Sequence, residues 1–134
     1  MAALDTNILV RFLVKDDAQQ SAAAQRLIGQ ALRTQQTLFV PITVVLELEW
    51  VLRSAYGFAK PITIAALSNL LSAAELSFES ERALEVALHL YRDGAADFAD
   101  AVHAALAAQA GETPWWTFDK AAAKLSGAAL LTIG

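Results

Sequence analysis

The stretch Ala3-Leu4-Asp5-Thr6-Asn7-Ile8-Leu9-Val10 near the start of the chain shows a short apolar run followed by a helical pattern, and this alternation continues along the chain. A short apolar run at residues 3–4 ends at an acid and passes directly into a helical pattern over residues 7–14. Similar apolar runs predict further strands at residues 37–40, 76–78, 115–118 and 130–132. Helical patterns between them predict helices at residues 16–34, 43–54, 62–74, 80–91, 97–110 and 120–125.

Short strands that alternate with helices pair in parallel, because each crossover carries a helix back over one face of the sheet. The sequence therefore predicts an α/β fold: a single domain over residues 1–134 with a small central parallel β-sheet flanked by helices. In open sheets of this kind, ligands bind beyond the carboxyl ends of the strands.

Composition and charge exclude several classes of protein. The chain has 134 residues, 56% of them hydrophobic, which is too apolar for intrinsic disorder. It holds no cysteine, so disulfides, zinc–thiolate sites and thiol nucleophiles are excluded. The first residues lack a basic segment and charges interrupt every apolar run, so we expect no signal peptide, no membrane span and a cytoplasmic protein. A net charge of −4 gives no general attraction to nucleic acid, so any such contact must be local.

Four acids stand out because they follow strands or interrupt apolar helices. Asp5 ends the first predicted strand, Glu47 lies in an apolar helix, Asp100 lies in the first turn of an alanine-rich helix, and Asp119 follows the fourth strand. Burying a charge costs several kcal/mol or more unless it is paired or binds a metal. No lysine or arginine stands next to Asp5, Glu47 or Asp100 in the sequence. Converging carboxylates favour a hard divalent cation, Mg²⁺ or Mn²⁺.

Each acid also has a purely structural interpretation. Asp5 is a possible helix cap, Asp97 the expected N-cap of the helix that carries Asp100, and Asp119 a possible turn residue. Glu47 and Glu49 face different ways on one helix, so one of them should point inward. The spacing of Glu49 and Arg53 is that of a solvated ion pair, which leaves Glu47 as the inward-facing site candidate.

Other side chains carry weaker signals. His103 lies one turn after Asp100 and is more typical of a packed helix residue than of a ligand, and His89 has no chemical companion. Thr6 and Thr117 are short hydroxyls next to acids and suited to orienting a carboxylate. The tryptophans offer a stacking platform for bases, but packing is the simpler role, since residues 115 and 116 point to opposite faces of a strand.

Four motifs taken together resemble PIN-domain ribonucleases and, among them, the VapC toxins of bacterial type II toxin–antitoxin modules. They are Asp5-Thr6-Asn7 after a short strand, Leu46-Glu47-Leu48, Asp97-Phe98-Ala99-Asp100-Ala101 and Thr117-Phe118-Asp119. The resemblance spans essentially the whole chain. It implies a parallel sheet flanked by helices, a homodimer, and an endoribonuclease that uses Mg²⁺ or Mn²⁺ and is inhibited by a small cognate antitoxin.

The resemblance also assigns roles to residues. Asp5, Glu47, Asp100 and Asp119 would form the catalytic quartet, with Asp5 and Asp100 as the principal metal ligands. Glu47 and Asp119 would bind a second ion or order the attacking water. Arg11, Arg53 or Lys120 would supply local contacts to RNA, and exposed helix surface around Trp50 and residues 62–71 would take an antitoxin helix.

Three other functions agree with the sequence less well or only in part. A phosphatase of the haloacid dehalogenase type needs a second aspartate two positions after the first, and here that position is Asn7. A non-catalytic PIN adaptor is disfavoured by the intact acidic quartet. A PIN nuclease of RNA processing remains the main alternative, and a neighbouring gene for an antitoxin would separate it from a toxin.

Overall fold

The computed structural model describes residues 2–134, which divide into two compact units. One unit ends at Glu79 and the other begins at Ser80, and each is described by itself. The prediction of one domain over residues 1–134 stays a prediction.

The first unit holds a three-stranded parallel sheet in the order β1-β2-β3. Its strands are β1 (Ala2–Ala3), β2 (Leu38–Val40) and β3 (Leu76–Phe78). Its helices are α1 (Thr6–Leu13), α2 (Ala18–Arg33), α3 (Ile42–Ser54) and α4 (Lys60–Leu71). Leu9, Val40 and Leu52 are fully buried in its core, because the helices turn one apolar stripe inward while the strands alternate.

Local chemistry explains where these helices begin. Asp17 caps α2 by accepting a hydrogen bond from the N–H of Gln20 at 3.0 Å. Pro41 precedes α3 and has no side chain able to cap it, so the Glu79 carboxylate accepts the N–H of Ile42 at 2.8 Å instead. An acid that directly follows β3 therefore fixes the start of the helix that carries Glu47.

The second unit holds α5 (Glu81–Asp93), α6 (Phe98–Gln109), a 3₁₀ turn (Ala122–Lys124) and the strands β4 (Trp115–Thr117) and β5 (Ala128–Leu130). The two strands pair in parallel, with Trp116 opposite Ala129. Between α5 and α6, the rings of Tyr91 and Phe98 pack with centroids 5.5 Å apart. A small core of mostly alanine side chains joins α6 to the 3₁₀ turn: Ala96, Ala104, Ala122 and Leu125.

The predicted α/β fold with parallel strands is confirmed, and the strands form a three-stranded and a two-stranded sheet. Every predicted helix lies within a few residues of an observed one. The last strand was predicted at residues 130–132 but lies at Ala128–Leu130. Gly127 is the reason: its φ of +80° makes a turn that starts the strand two residues early, and the N–H of Trp115 bonds to its carbonyl at 2.8 Å.

Among residues 2–134, every helix is too short or too polar to cross a lipid bilayer.

Candidate acidic site

Asp5 begins α1 and uses one carboxylate oxygen to do so. Its Oδ1 accepts the N–H of Thr6 at 2.7 Å, so the capping role is confirmed. The side chain is exposed, and no donor within residues 2–134 bonds to its other oxygen. Capping and ligand binding are therefore compatible at Asp5.

Thr6 links Asp5 to Glu47. Its side chain is only 3% exposed, and its hydroxyl donates a short hydrogen bond to Oε1 of Glu47, 41 residues away in the chain. Its backbone N–H meanwhile bonds to Asp5. One buried threonine thus bonds to both predicted site acids of the first unit, as the sequence suggested for a hydroxyl next to Asp5.

The prediction that Glu47 points inward and Glu49 outward was wrong. Glu49 is 3% exposed, whereas Glu47 is exposed. The helical period explains this, because Val45, Leu48, Glu49 and Leu52 form the one buried stripe of α3. The Glu49–Arg53 ion pair exists, with Oε2 and Nε 2.9 Å apart, but its carboxylate is buried rather than solvated. Glu47 remains a candidate because Thr6 holds it.

The second unit gathers three aspartates. Asp97 occupies the N-cap position of α6 as predicted, although its side chain makes no capping hydrogen bond, and Asp100 is half-buried in the first turn. Asp119 follows β4, and its Oδ1 accepts the N–H groups of Ala121 at 2.8 Å and Ala122 at 3.0 Å. The turn role expected for Asp119 is therefore confirmed, and it occupies one carboxylate oxygen. Thr117 contributes by accepting the N–H of Asp119 at 3.1 Å.

The pKa of Asp100 is raised above its ordinary value. Burial is the largest cause, and the negative charges of Asp97 and Asp119 add to it, while His103 acts in the opposite direction. These carboxylates are close enough to repel one another, and no lysine or arginine offsets their effect on Asp100. A site of this kind attracts a cation.

Burial is not, however, a property that all four predicted acids share. Asp5, Glu47 and Asp119 are exposed, and only Asp100 is partly shielded from solvent. The prediction that these acids are buried was therefore wrong for Asp5, Glu47 and Asp119. The reason is their position: Asp5 and Asp119 lie where strands end, and Glu47 lies on the face of α3 opposite Glu49.

The donor chemistry fits a hard cation, although no ready-made ligand cage is present. Among residues 2–134, no group of three or more His, Asp or Glu side chains is arranged to hold a metal ion. Asp5 and Asp119 each keep one carboxylate oxygen outside their capping hydrogen bonds, and Asp100 lies among like charges. Carboxylate oxygens without thiolates suit Mg²⁺ or Mn²⁺.

The three positively charged side chains predicted to contact RNA differ in the partners that they already have. Arg11 donates to Asp16 at 2.8 Å and to Tyr56 at 3.1 Å, contacts that raise its pKa. Arg53 is paired with Glu49. Lys120 is exposed and forms no ion pair within residues 2–134.

The structure shows how exposed the tryptophans of β4 and the two histidines are and what they contact. Trp115 is half-buried and Trp116 is 59% exposed, so the two do point to opposite faces of β4. His103 is exposed, with its ring 5.9 Å from that of Trp115, rather than packed inside a core. His89 is exposed and hydrogen-bonds through Nδ1 to Arg92 at 2.8 Å.

Sequence reasoning missed Glu79, and it left open whether Asp97 is only a cap or also joins Asp100 in the site. Glu79 directly follows a strand, so the rule that singled out Asp119 would have found it. The electrostatic role of Asp97 follows from its spacing of three residues from Asp100, which places both on one helix turn.

The hydroxyl of Thr6 should couple energetically to Glu47. Thr6→Val keeps the side-chain volume and the N–H that Asp5 accepts, so it removes only the bond to Glu47. We expect it to lower the free energy of unfolding by about 1 kcal/mol, as for a typical hydrogen bond. Urea unfolding of Thr6→Val, Glu47→Gln and the double variant measures the coupling, and Thr6→Ser is the matched control. Additive effects would show that the bond contributes nothing.

Asp100→Asn should stabilise the metal-free protein at neutral pH. A raised pKa means that the folded state holds its proton to higher pH than the unfolded state, so stability falls as pH rises through that window. Asparagine removes this cost, so the gain should be greatest near pH 7 and shrink in acid. Melting in EDTA across pH measures it, with the exposed acid substitution Glu112→Gln as control. A lower melting temperature for Asp100→Asn at pH 7 would contradict the electrostatic explanation.

Comparison with known proteins places this arrangement in a family. The model of the PIN domain matches residues 2–128, a span that includes all four predicted acids. A search of curated proteins gives no significant match. PIN domains are generally nucleases, an activity that carboxylates able to bind a metal ion suit. The chain therefore belongs to the PIN domain family.

Proposed function

We propose that this chain is a metal-dependent endoribonuclease, the toxin of a VapC-type toxin–antitoxin pair. The observation that carries the nuclease proposal is the cluster of three aspartates in the second unit, where burial and the charges of Asp97 and Asp119 raise the pKa of Asp100 and no lysine or arginine of residues 2–134 opposes them. Membership of the PIN family and the Thr6-linked pair Asp5 and Glu47 support it.

Asp5 and Asp100 would hold the Mg²⁺ or Mn²⁺ ion, with Glu47 and Asp119 as the other members of the catalytic quartet. When bound, such an ion lowers the pKa of water and offsets the charge that develops on a phosphate. Ionised Asp100 would be favoured by a cation that balances Asp97 and Asp119, because their repulsion is part of what raises its pKa.

The chain's own residues would then position water and accept its proton. Thr6 occupies Oε1 of Glu47, and the turn N–H groups occupy Oδ1 of Asp119, so each carboxylate is fixed in orientation with its second oxygen left for water. The water oxygen would bond to phosphorus as the bond from phosphorus to the leaving oxygen breaks. The proton released by water would pass to one of these carboxylates.

The toxin assignment adds partners to this chemistry. A homodimer in the cytoplasm would be inhibited by a small antitoxin, whose arginine or lysine would pair with the acids and displace the metal. A helix of the antitoxin would pack on the exposed surface around Trp50 of α3 and Ile62 of α4, whose side chains are each 57% exposed. The resemblance of the motifs to VapC toxins is what supports these partners.

Purified protein with Mg²⁺ or Mn²⁺ should cleave RNA, and EDTA should stop the reaction. Asp5→Asn and Asp100→Asn should each reduce cleavage at least about 100-fold, because each removes a charge from the metal site. Gel analysis of labelled RNA measures the rate, and Glu112→Gln is the control. Mn²⁺ at a hundred times its dissociation constant should also stabilise the wild type by about 2.7 kcal/mol. Wild-type rates in both aspartate variants would refute the site.

Expression of this chain alone should arrest bacterial growth if it is a toxin. Co-expression of the small gene next to it should restore growth, and the two proteins should co-purify. Asp5→Asn should relieve the arrest yet still bind the antitoxin, since an apolar groove would supply most of the affinity. Unaffected growth and the absence of a co-purifying partner would exclude the toxin role and leave a nuclease of RNA processing.

A further inference from the structure

We propose that a groove beside Asp119 is a nucleotide subsite, in which a base of single-stranded RNA stacks on Phe118 and a phosphate pairs with Lys120. This inference rests on the proposed nuclease function and assigns the place where the substrate strand is held. Both residues are neighbours of Asp119 in the sequence, one on each side.

The groove lies at the carboxyl ends of two parallel strands. It has a volume of about 400 Å³ and is lined by Phe118, Lys120, Leu130, Leu131, Thr132 and Ile133. Phe118 and Lys120 come directly after β4, and the other lining residues end or follow β5. Ligands of parallel sheets bind at this end of the strands.

The lining presents an unusual amount of apolar surface to solvent. Phe118 is 64% exposed, Leu131 45% and Ile133 92%. Exposed apolar side chains gathered in one groove mark a binding surface more than isolated ones do. An exposed aromatic ring is the group on which successive bases of a single strand stack, whatever their sequence.

Lys120 gives the groove its charge complementarity. It is the one charged residue in the lining, and it forms no ion pair within residues 2–134. The other two candidate cations, Arg11 and Arg53, are already paired with Asp16 and Glu49. Lys120 is the positively charged side chain that this groove offers to a phosphate, in a chain whose net charge of −4 gives no general attraction to one. A nucleotide combines a flat base with an anionic phosphate, and these are the two groups that Phe118 and Lys120 would contact.

Binding of fluorescein-labelled oligo(A) RNA, followed by anisotropy in EDTA so that no cleavage occurs, tests the subsite. Phe118→Ala should weaken binding about 5- to 150-fold, which corresponds to about 1–3 kcal/mol per stacked base, while Phe118→Trp should retain it. Lys120→Gln should weaken binding and make the slope of log K against log salt smaller by about 0.7, while Lys120→Arg should not. Phe39→Ala and Lys124→Gln, exposed residues of the same types outside the groove, should leave the affinity unchanged.

The outcomes separate the subsite from the nuclease function. If the wild type binds or cleaves RNA and the Phe118→Ala and Lys120→Gln proteins do so equally well, the subsite is refuted and the nuclease stands. If the wild type neither binds nor cleaves RNA, both proposals fail. If the two substitutions leave RNA affinity unchanged but abolish association with a protein partner, the groove is a protein-docking surface and the proposal is overturned. Melting curves identify any variant that is unfolded. If Phe118→Ala is unfolded, the salt slope of RNA binding by Lys120→Gln decides whether the groove binds a phosphate.

Discussion

The two hydrogen bonds of Thr6 define the acidic pair of the first unit. Its backbone N–H holds Asp5 at the start of α1, and its buried hydroxyl holds Glu47 on α3. Because the hydroxyl is removed from water, the bond to a carboxylate is more favourable than one made at the surface. The start of α3 is fixed in turn by Glu79, which accepts an N–H that Pro41 leaves without a side-chain cap.

Two of the predicted site acids have a structural role that leaves one carboxylate oxygen without a hydrogen bond among residues 2–134. Asp5 and Asp119 each spend one oxygen on backbone N–H groups, which fixes the carboxylate without exhausting it. Such hydrogen bonds limit the rotation of the carboxylate and leave its second oxygen for a ligand. From the sequence alone, a structural role and a functional role for the same acid are alternatives. In the structure they are complementary.

Two of the three positively charged side chains predicted to contact RNA are already paired with acids. Asp16 and Tyr56 hold Arg11, with the Tyr56 hydroxyl 2.8 Å from Oδ2 of Asp16, and this contact is the main reason why the pKa of Asp16 is lowered. Arg53 neutralises the buried Glu49. Two arginines that the sequence predicted to contact RNA are therefore already paired. In the proposed function, binding of RNA would depend on a bound metal ion and on Lys120.

The sequence by itself determined the α/β class, the parallel pairing, the order of the elements and the position of Asp5 and Asp119 after strands, although it missed Glu79 after β3. These features depend on local periodicity and on turn residues, which a linear pattern contains. It missed the start of β5, because the backbone of Gly127, and not the apolar run, begins that strand. Only the tertiary structure decided that Glu49 is buried and Glu47 exposed, that Thr6 joins Asp5 to Glu47, and that Arg11 is occupied. Those facts depend on which stripe of a helix meets its neighbours and on partners up to 41 residues apart, and no local pattern specifies either.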